Sequence, residues 1–488
     1  MLLLPIWLLA TLAQSTPLSK TTTKHPTATL SKTIFIGKTL PEFDQDHFLG
    51  IKYANKPTRF TASSLKTTYA SNDSNSGVYD SSFGGLTSNI HVYYNASEYG
   101  YDCPAYNMSY IVQQGALNGK PVLGVSINYR MAAFGFLDSK EVRAEGNTNL
   151  ALRDQRTAMR WVKKHIEAFG GDPDRITIWG ESAGAYSVGA HLVTNGGDNE
   201  GLFRAAIMES GNAVGPPYNG TSWHQPMYDR IVERAGCTNA TNTLQCLRDL
   251  PYSTIYNAAY EGLEWFATID NSFISQYPQI SYKEGKLSKV PILLGTNTDE
   301  GTTSKRWVLN RTEATEILSE YPNIPALGCP YGWGNTTWPS LGLQYKRYES
   351  IAGDLTMFAP RRLLAHTMAQ FENVYSYRWD VAALNTSSTI GVQHFAEIPF
   401  VFANPVQNIT ALGSDPTRLE LGQMAARMWT SFVTDLDPNG HGVSHVPQWP
   451  EYSSQSKNFV FRLPRNESYI EDDTYRATGM NVINGIAR

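Results

Sequence analysis

Ile176-Thr-Ile-Trp-Gly-Glu-Ser-Ala-Gly184 is the stretch that decides the fold of this chain. Ile176–Trp179 has the composition of a buried strand, the sequence from Ala185 onward favours a helix, and Gly-x-Ser-x-Gly forms the turn between them. The two glycines let strand and helix approach closely around a strained serine backbone, which lifts the hydroxyl of Ser182 above the sheet. The turn and the helix N-terminus aim backbone N–H groups at negative charge that develops beside that hydroxyl. The elbow residues predicted here are Gly180, Glu181, Ser182 and Gly184, and the predicted donor of the N–H is Ala183.

Strands and helices alternate on both sides of this stretch. A strand is predicted over Val122–Asn128 and a helix follows, with apolar residues at helical spacing from Ala158 to Phe169. Ala205–Met208 is the next strand, and later candidate strands are Pro291–Leu294, Val374–Tyr377 and Phe459–Phe461. This alternation predicts an α/β fold with a mostly parallel central sheet that helices cover on both faces.

The N-terminus has the pattern of an export signal. Leu2–Ala13 is apolar but too short to span a bilayer, and small residues flank a cleavage point, so residues 1–15 are predicted to be a signal peptide. Residues 16–32, rich in Thr, Ser and Lys, are predicted to be a flexible leader. We therefore expect a secreted glycoprotein, and ten Asn-x-Ser/Thr sequons support this: Asn72, Asn95, Asn107, Asn219, Asn239, Asn310, Asn335, Asn385, Asn408 and Asn466.

The amino-acid composition excludes some classes of binding partner. The net charge is −4 and there is no long Lys/Arg run, which argues against nucleic acid and anionic membranes as partners. No later stretch is long and apolar enough to form a stable membrane anchor. Cys237 and Cys246 close a short loop and are the expected disulfide, because no CxxC motif or histidine cluster beside them suggests a metal site. Cys103 and Cys329 have no obvious partner by spacing.

A reactive serine needs a histidine base and an acid that orients it. With a Gly-x-Ser-x-Gly turn the chain order is serine, acid, histidine. Asp299 and Glu300, just past the strand at 291–294, are both candidates for the acid because sites in parallel sheets form at the strand ends. Four histidines follow, and spacing alone leaves the choice open: His366 in a helix-like run, His394 in a loop, His441 and His445.

One further motif begins like a calcium loop. Asp435-Leu-Asp-Pro-Asn-Gly440 has oxygen ligands at alternate positions, but the twelfth position is Val446 instead of glutamate, and Pro438 stiffens the middle. We therefore interpret this stretch as a turn and expect no metal site here.

Longer stretches resemble the type-B carboxylesterase/lipase family, which includes cholinesterases and fungal extracellular lipases. The resemblance covers residues 120–300, 391–402 and 437–452, and it implies the α/β-hydrolase fold over about residues 33–488 as a single domain. The resemblance also implies a triad of Ser182, Glu300 and His394, with Glu300 rather than Asp299 as the acid. Cys237–Cys246 matches the second disulfide of the family. The matching motifs are Val125-Ser-Ile-Asn-Tyr-Arg130, Gly146–Gln155, Phe169-Gly-Gly-Asp-Pro173, Gly180–Gly184, Asp299-Glu-Gly301 and Gly391-Val-Gln-His394.

The chain departs from the family pattern near Cys103. The family has an interior strand and a glycine-rich turn there, and two N–H groups of that turn complete its oxyanion hole. In this chain Cys103-Pro104 runs almost directly into Ala105-Tyr106, so that strand and turn are missing. Phe83-Gly-Gly-Leu86 holds the only nearby glycine pair, and it lies on the wrong side of Cys103.

The resemblance implies a secreted hydrolase that cleaves carboxylic esters through an acyl-enzyme, acts on a small-molecule ester or lipid substrate and uses no cofactor. Two alternatives remain open. One is a truncated inactive member of the family that lacks its oxyanion turn, and the other is a non-catalytic cholinesterase-like binding protein. The sequence does not decide between lipase and carboxylesterase.

Overall fold

A computed structural model of the protein describes residues 25–69, 89–92, 106–260, 262–303, 311–405 and 412–486. The predicted signal peptide, most of the predicted leader, Gly84-Gly85 and Cys103 lie outside the described residues. The strands within the described residues are β1 (Thr27–Leu30), β2 (Thr33–Ile36), β3 (Lys38–Leu40), β4 (Gln45–His47), β5 (Ile51–Lys52), β6 (Asn89–Val92), β7 (Val125–Ile127), β8 (Thr177–Glu181), β9 (Ala205–Glu209), β10 (Ile292–Asn297), β11 (Val374–Trp379), β12 (Lys457–Phe461) and β13 (Tyr469–Asp472).

Helices connect the strands from β6 to β12, and a further helix follows β13. They are α1 (Ser109–Leu117), α2 (Ala132–Phe136), α3 (Lys140–Ala144), α4 (Leu150–His165), α5 (Ala183–Val193), α6 (Thr221–Arg234), α7 (Thr243–Asp249), α8 (Tyr252–Tyr260), α9 (Pro278–Lys283), α10 (Arg311–Glu320), α11 (Tyr345–Gly353), α12 (Ala359–Met368), α13 (Ile398–Val401), α14 (Pro416–Asp435), α15 (Tyr452–Gln455) and α16 (Ala477–Gly485).

The main sheet has six strands in the order β13-β12-β11-β10-β9-β8. Strands β8 to β12 are parallel, and β13 joins the edge in antiparallel orientation. All residues of β9 and β10 are buried, which is typical of strands covered on both faces. The prediction of a mostly parallel α/β sheet is confirmed.

Alternate strand residues enter two apolar layers. Ile178, Ala206 and Ile292 pack against helices α5 and α12 in one cluster. Trp179 and Ile207 face the opposite layer, where they join Trp429 of α14 and aromatic residues of β11 and β12. Because side chains of a strand point alternately to opposite faces, this division confirms that helices cover both sides of the sheet.

A second, three-stranded sheet has the order β5-β6-β7 and is antiparallel. In the described part of the chain no ladder joins β7 to β8, so the two sheets stay separate. A cavity of about 270 Å³ lies between them, lined by Val125 and Ile127 of β7, Thr177 and Trp179 of β8, and Trp429. The sequence analysis expects an interior strand to be missing near Cys103, and in the described residues no strand joins the two sheets.

Two boundaries differ from the sequence prediction. The strand predicted over Val122–Asn128 is only Val125–Ile127, because its ladder with β6 covers three residue pairs. Strand β1 lies inside the stretch predicted as a flexible leader, since β1 pairs with β2 and buries Ala28 and Leu30.

Cysteine pairing and helix hydropathy add two facts. A disulfide joins Cys237 to Cys246 with an S–S distance of 2.01 Å, as expected, and the thiol of Cys329 is free and buried. None of the helices within the described ranges combines the length and the apolar character needed to cross a bilayer.

Candidate active site

The turn after β8 holds Ser182 in a strained conformation. Ser182 has φ 55° and ψ −120°, and its N–H donates to the backbone oxygen of Glu209 over 2.9 Å. Position 180, two residues before Ser182, accepts only glycine, because a Cβ there would lie 2.3 Å from the backbone carbon of Gly184. Strand, turn and helix therefore meet at Ser182 as the sequence predicts, and Ala183 is the first residue of α5.

Loops from two neighbouring strands bring an acid and a histidine to this serine. Glu300 follows β10, and His394 lies between β11 and α13. The Nε2 atom of His394 is 2.7 Å from the Oγ of Ser182, and its Nδ1 atom is 2.7 Å from Oε2 of Glu300. The three residues form one continuous hydrogen-bonded chain.

The carboxylate of Glu300 is fixed from its other side. Its Oε1 atom accepts a 2.8 Å hydrogen bond from the N–H of Asn297 and a second one from the hydroxyl of Ser210. The side chain of Glu300 is fully buried. These contacts leave Oε2 directed at the imidazole of His394.

Asp299, the other candidate for the acid, has a different position. Its carboxylate accepts backbone N–H groups from Tyr331 at 2.5 Å and Val392 at 2.7 Å. Its own N–H donates to the carbonyl of Val392 over 2.9 Å. Asp299 therefore fastens the loop that carries His394, and it does not contact the imidazole.

The other candidate histidines take part in local contacts elsewhere. His366 lies on α12 beside the hydroxyl of Tyr452, at 3.4 Å, and His441 accepts the N–H of Val443. His445 lies in the loop after His441 and has a φ of 61°. Asp435 ends α14, and a 3₁₀ turn follows at Pro438–His441, so the calcium-like motif forms a turn.

Buried acids dominate the electrostatics around the imidazole. Burial disfavours the charged form of His394, but the carboxylates of Glu181 and Glu300 outweigh it and raise the pKa above the ordinary 6.5. Oε1 of Glu181 lies 3.2 Å from Nε2. Burial raises the pKa of Glu397 to about 7 and that of Glu209 well above its ordinary value, which favours the neutral form of both acids.

Sequence reasoning missed four residues that support the site: Asn297, Ser210, Glu209 and Glu397. A signal existed for two of them, since Ser210 immediately follows β9 and Asn297 ends β10, at the sheet edge where such sites form. The indoles of Trp179 and Trp429 donate to Oε1 of Glu209, a contact across layers that no local pattern reveals. Among the described residues, no three His, Cys, Asp or Glu side chains are grouped to hold a metal ion.

A parallel sheet with a serine on a strand–turn–helix and an acid and histidine on adjacent loops defines the α/β-hydrolase class. A model of the "Carboxylesterase family" matches residues 91–323 and 338–479. The chain belongs to this family.

Similar proteins are fungal. "Secreted lipase 1" of Botryotinia fuckeliana is 33% identical over an alignment of 421 positions that covers 78% of this chain and 69% of that protein. "Lipase 5" of Diutina rugosa is 32% identical over 409 residues, covering 76% of this chain and 71% of its own. The crystal structure of EstA from Aspergillus niger superposes with a TM-score of 0.79 at 25% identity, over 94% of this chain and 98% of that one.

Proposed function

We propose that this chain is a serine ester hydrolase with Ser182 as nucleophile, His394 as general base and Glu300 as the orienting acid. The observation that supports the proposal is the hydrogen-bonded chain from the Ser182 hydroxyl through both imidazole nitrogens to Glu300. Nucleophile, base and acid within hydrogen-bond reach of one another are the requirement for acyl transfer.

The reaction runs in two halves. Oγ of Ser182 attacks the ester carbonyl while Nε2 of His394 takes the hydroxyl proton, and Glu300 stabilises the imidazolium. The tetrahedral intermediate collapses, the C–O bond to the alcohol breaks and His394 gives the proton to the alcohol. Water, deprotonated by His394, then attacks the acyl-enzyme. The C–O bond to Ser182 breaks, His394 returns the proton to Oγ, and the carboxylic acid is released. The N–H of Ala183 at the start of α5 supplies one donor to the oxyanion.

A fluorophosphonate probe tests the nucleophile. We expect the probe to label the chain covalently, Ser182→Ala to abolish labelling and Ser319→Ala, at an exposed site on α10, to label like the unmodified chain. Labelling that persists in the Ser182→Ala protein would refute the proposal. In a fully assembled site the loss of the serine costs about 10⁶ in turnover.

A second candidate, a truncated form with little activity, is favoured by the break between β7 and β8. The family's glycine turn supplies two oxyanion donors, and the loss of one donor costs about 10²–10³ in turnover. We therefore propose that this 488-residue chain reacts with the probe but turns over p-nitrophenyl butyrate slowly.

Sequencing the transcript across codons 95–115 separates the two candidates. A longer transcript that restores the strand should encode an active esterase that uses the same three residues. Rapid turnover by the chain as written would instead show that other backbone donors complete the hole. A pure binding role is less favoured, because all three residues of the triad remain in contact.

The substrate and location are proposed from the relatives. Two of the similar proteins are named "Secreted lipase 1" and "Secreted triacylglycerol lipase LIP1". Together with the apolar N-terminus, these names support secretion and a small ester or lipid as the substrate.

A further inference from the structure

Exposed apolar side chains are concentrated in one stretch of the chain. Nineteen large hydrophobic residues of the described chain are exposed, and eight of them lie within residues 318–348. The apolar loop surface is defined here as the six exposed residues that share one uncharged segment: Ile324, Leu327, Tyr331, Trp333, Leu341 and Leu343. Clustered exposed hydrophobic residues mark an interaction site, whereas scattered ones do not.

The segment that carries this surface has no charge. Residues 321–345 contain no Asp, Glu, Lys or Arg, although 17% of the chain is charged and about four such residues would be expected in 25. The family model also leaves residues 324–337 unmatched, so most of the segment is a feature of this chain rather than of the family pattern.

The segment is ordered around aromatic contacts. The rings of Trp333 and Trp338 meet edge to face at 6.3 Å, and Trp338 contacts Tyr345 in the same way at 6.1 Å. Lys346 at its base donates to the carbonyl of Gly334 and lies over the ring of Trp338. Trp333 and Leu343 remain 44% and 71% exposed, so their apolar area faces outward from a supported loop.

The same segment contacts the loops that hold the candidate site. The N–H of Tyr331 donates to Asp299, the neighbour of Glu300, over 2.5 Å. The hydroxyl of Tyr345 donates to the carbonyl of Thr389, five residues before His394, over 2.7 Å. The segment is therefore attached to both loops that carry Glu300 and His394.

We propose that the apolar loop surface binds the surface of an uncharged lipid phase, such as a droplet of neutral esters, and so holds the chain at its substrate. This inference rests on the proposed function, which makes an ester or lipid the substrate. Trp and Tyr suit a lipid–water boundary because their rings are apolar with one polar atom. The absence of charge across 321–345 favours neutral lipid over an anionic membrane, which recruits Lys and Arg.

Flotation with phosphatidylcholine-coated triolein droplets tests the proposal. The full chain carrying Ser182→Ala should float with the droplets, and raised salt should not release it. Trp333→Ser/Leu341→Ser/Leu343→Ser in that background should weaken binding about tenfold, because three apolar side chains leave the contact. The matched control is Leu117→Ser/Tyr260→Ser, which removes two equally exposed residues on α1 and α8 and should bind unchanged.

Four outcomes would overturn the proposal. The triple variant could float like its parent, or the control could lose as much binding. The third is failure of the parent to float even when it also carries Asn335→Gln. This substitution removes a sequon within the segment, because a glycan at that position would cover the surface. The fourth is a parent chain that does not float but dimerises in ultracentrifugation, with the dimer lost in the triple variant. That result would assign the surface to a second copy of the chain and overturn the proposal.

Fluorophosphonate labelling separates this proposal from the catalytic one. The triple variant, built with Ser182 intact, should label at the rate of the unmodified chain and unfold at a similar temperature. Flotation without any labelling would refute the proposed function and leave the lipid-binding surface supported. Labelling without flotation would refute the lipid-binding surface and leave the proposed function supported.

Discussion

At the scale of single residues, Glu181 is a buried acid outside the proposed triad that affects how the imidazole of His394 titrates. It is buried, its Oε1 atom lies 3.2 Å from Nε2 of His394, and its carboxylate raises the pKa of that histidine. A general base works only when unprotonated, so activity should fall as the pH drops through the pKa of His394.

Glu181→Gln should therefore move the acid limb of the kcat/KM profile to lower pH, because a neutral amide no longer stabilises the imidazolium. Initial rates of a soluble ester over a pH series measure this. Glu167→Gln, on the 3₁₀ turn after α4, is the control and should leave the limb in place. An unchanged limb in Glu181→Gln would show that Glu181 does not contribute to the raised pKa of His394.

How far single residues were predictable depends on how local their signal is. Ser182 followed from its own turn, since strand, glycines and helix are adjacent in sequence. The residues alone did not choose between Asp299 and Glu300 or among four histidines, because those roles depend on which loops meet in space. Glu209 gave no signal, since its partners Trp179 and Trp429 come from distant elements.

At the scale of elements, the close approach of β8 and α5 depends on the absence of a side chain at Gly180. A methyl group there would overlap the backbone of Gly184, which has no flexible side chain to move aside. Gly180→Ala should destabilise the protein by about 1–3 kcal/mol through overpacking and should slow labelling of Ser182.

Gly220→Ala is the matched control for this change. A Cβ at Gly220 meets no atom within 4 Å, and its φ is −99°, so the substitution should be nearly neutral. Urea unfolding of both variants, with probe labelling rates, gives the comparison. Equal stability of the two alanine variants would contradict the close contact at Gly180.

Strands β8 to β12 of the main sheet were predictable because each contains a short apolar run, whereas the edge strand β13 was not predicted. The length of β7 was not, because a strand extends only as far as its ladder, and the described partner of β7 covers three residues. The apolar composition of Val122–Asn128 indicates that the segment is buried, but it does not indicate which of its residues pair with another strand.

At the scale of the whole molecule, a buried ionic network joins the far edge of the sheet to the helical layer. Asp473, just after β13, accepts from Arg361 at 2.7 Å and Arg362 at 2.9 Å, both on α12, and from the hydroxyl of Tyr452 at 2.7 Å. Burial alone would raise the pKa of Asp473, but the two arginines outweigh it and hold the pKa far below its ordinary value.

Asp473→Asn should lower the free energy of unfolding by about 3–5 kcal/mol at neutral pH, because it leaves two guanidinium groups buried without their counter-charge. A depressed folded pKa contributes stability above the unfolded pKa of about 3.9 and loses it as pH falls below that value. The gap between variant and unmodified chain should therefore shrink below about pH 4.

Asp472→Asn provides the control at the adjacent position. Asp472 is 66% exposed and pairs with Lys457 over 2.8 Å, so its loss should change stability by no more than about 1 kcal/mol at any pH. Urea titrations of both variants at neutral and acid pH test the contrast. A pH-independent deficit in Asp473→Asn would refute the assigned charge.

The break between β7 and β8 also has a consequence for local unfolding. β10 has hydrogen-bonded neighbours on both sides, whereas the described ladder of β7 runs only to β6, and a cavity separates β7 from β8. Regions with fewer shared contacts open with lower free energy than the rest of a protein. The amides of the three-stranded sheet should therefore take up deuterium before those of β9 to β11, and equal exchange rates in the two sheets would contradict their separate opening.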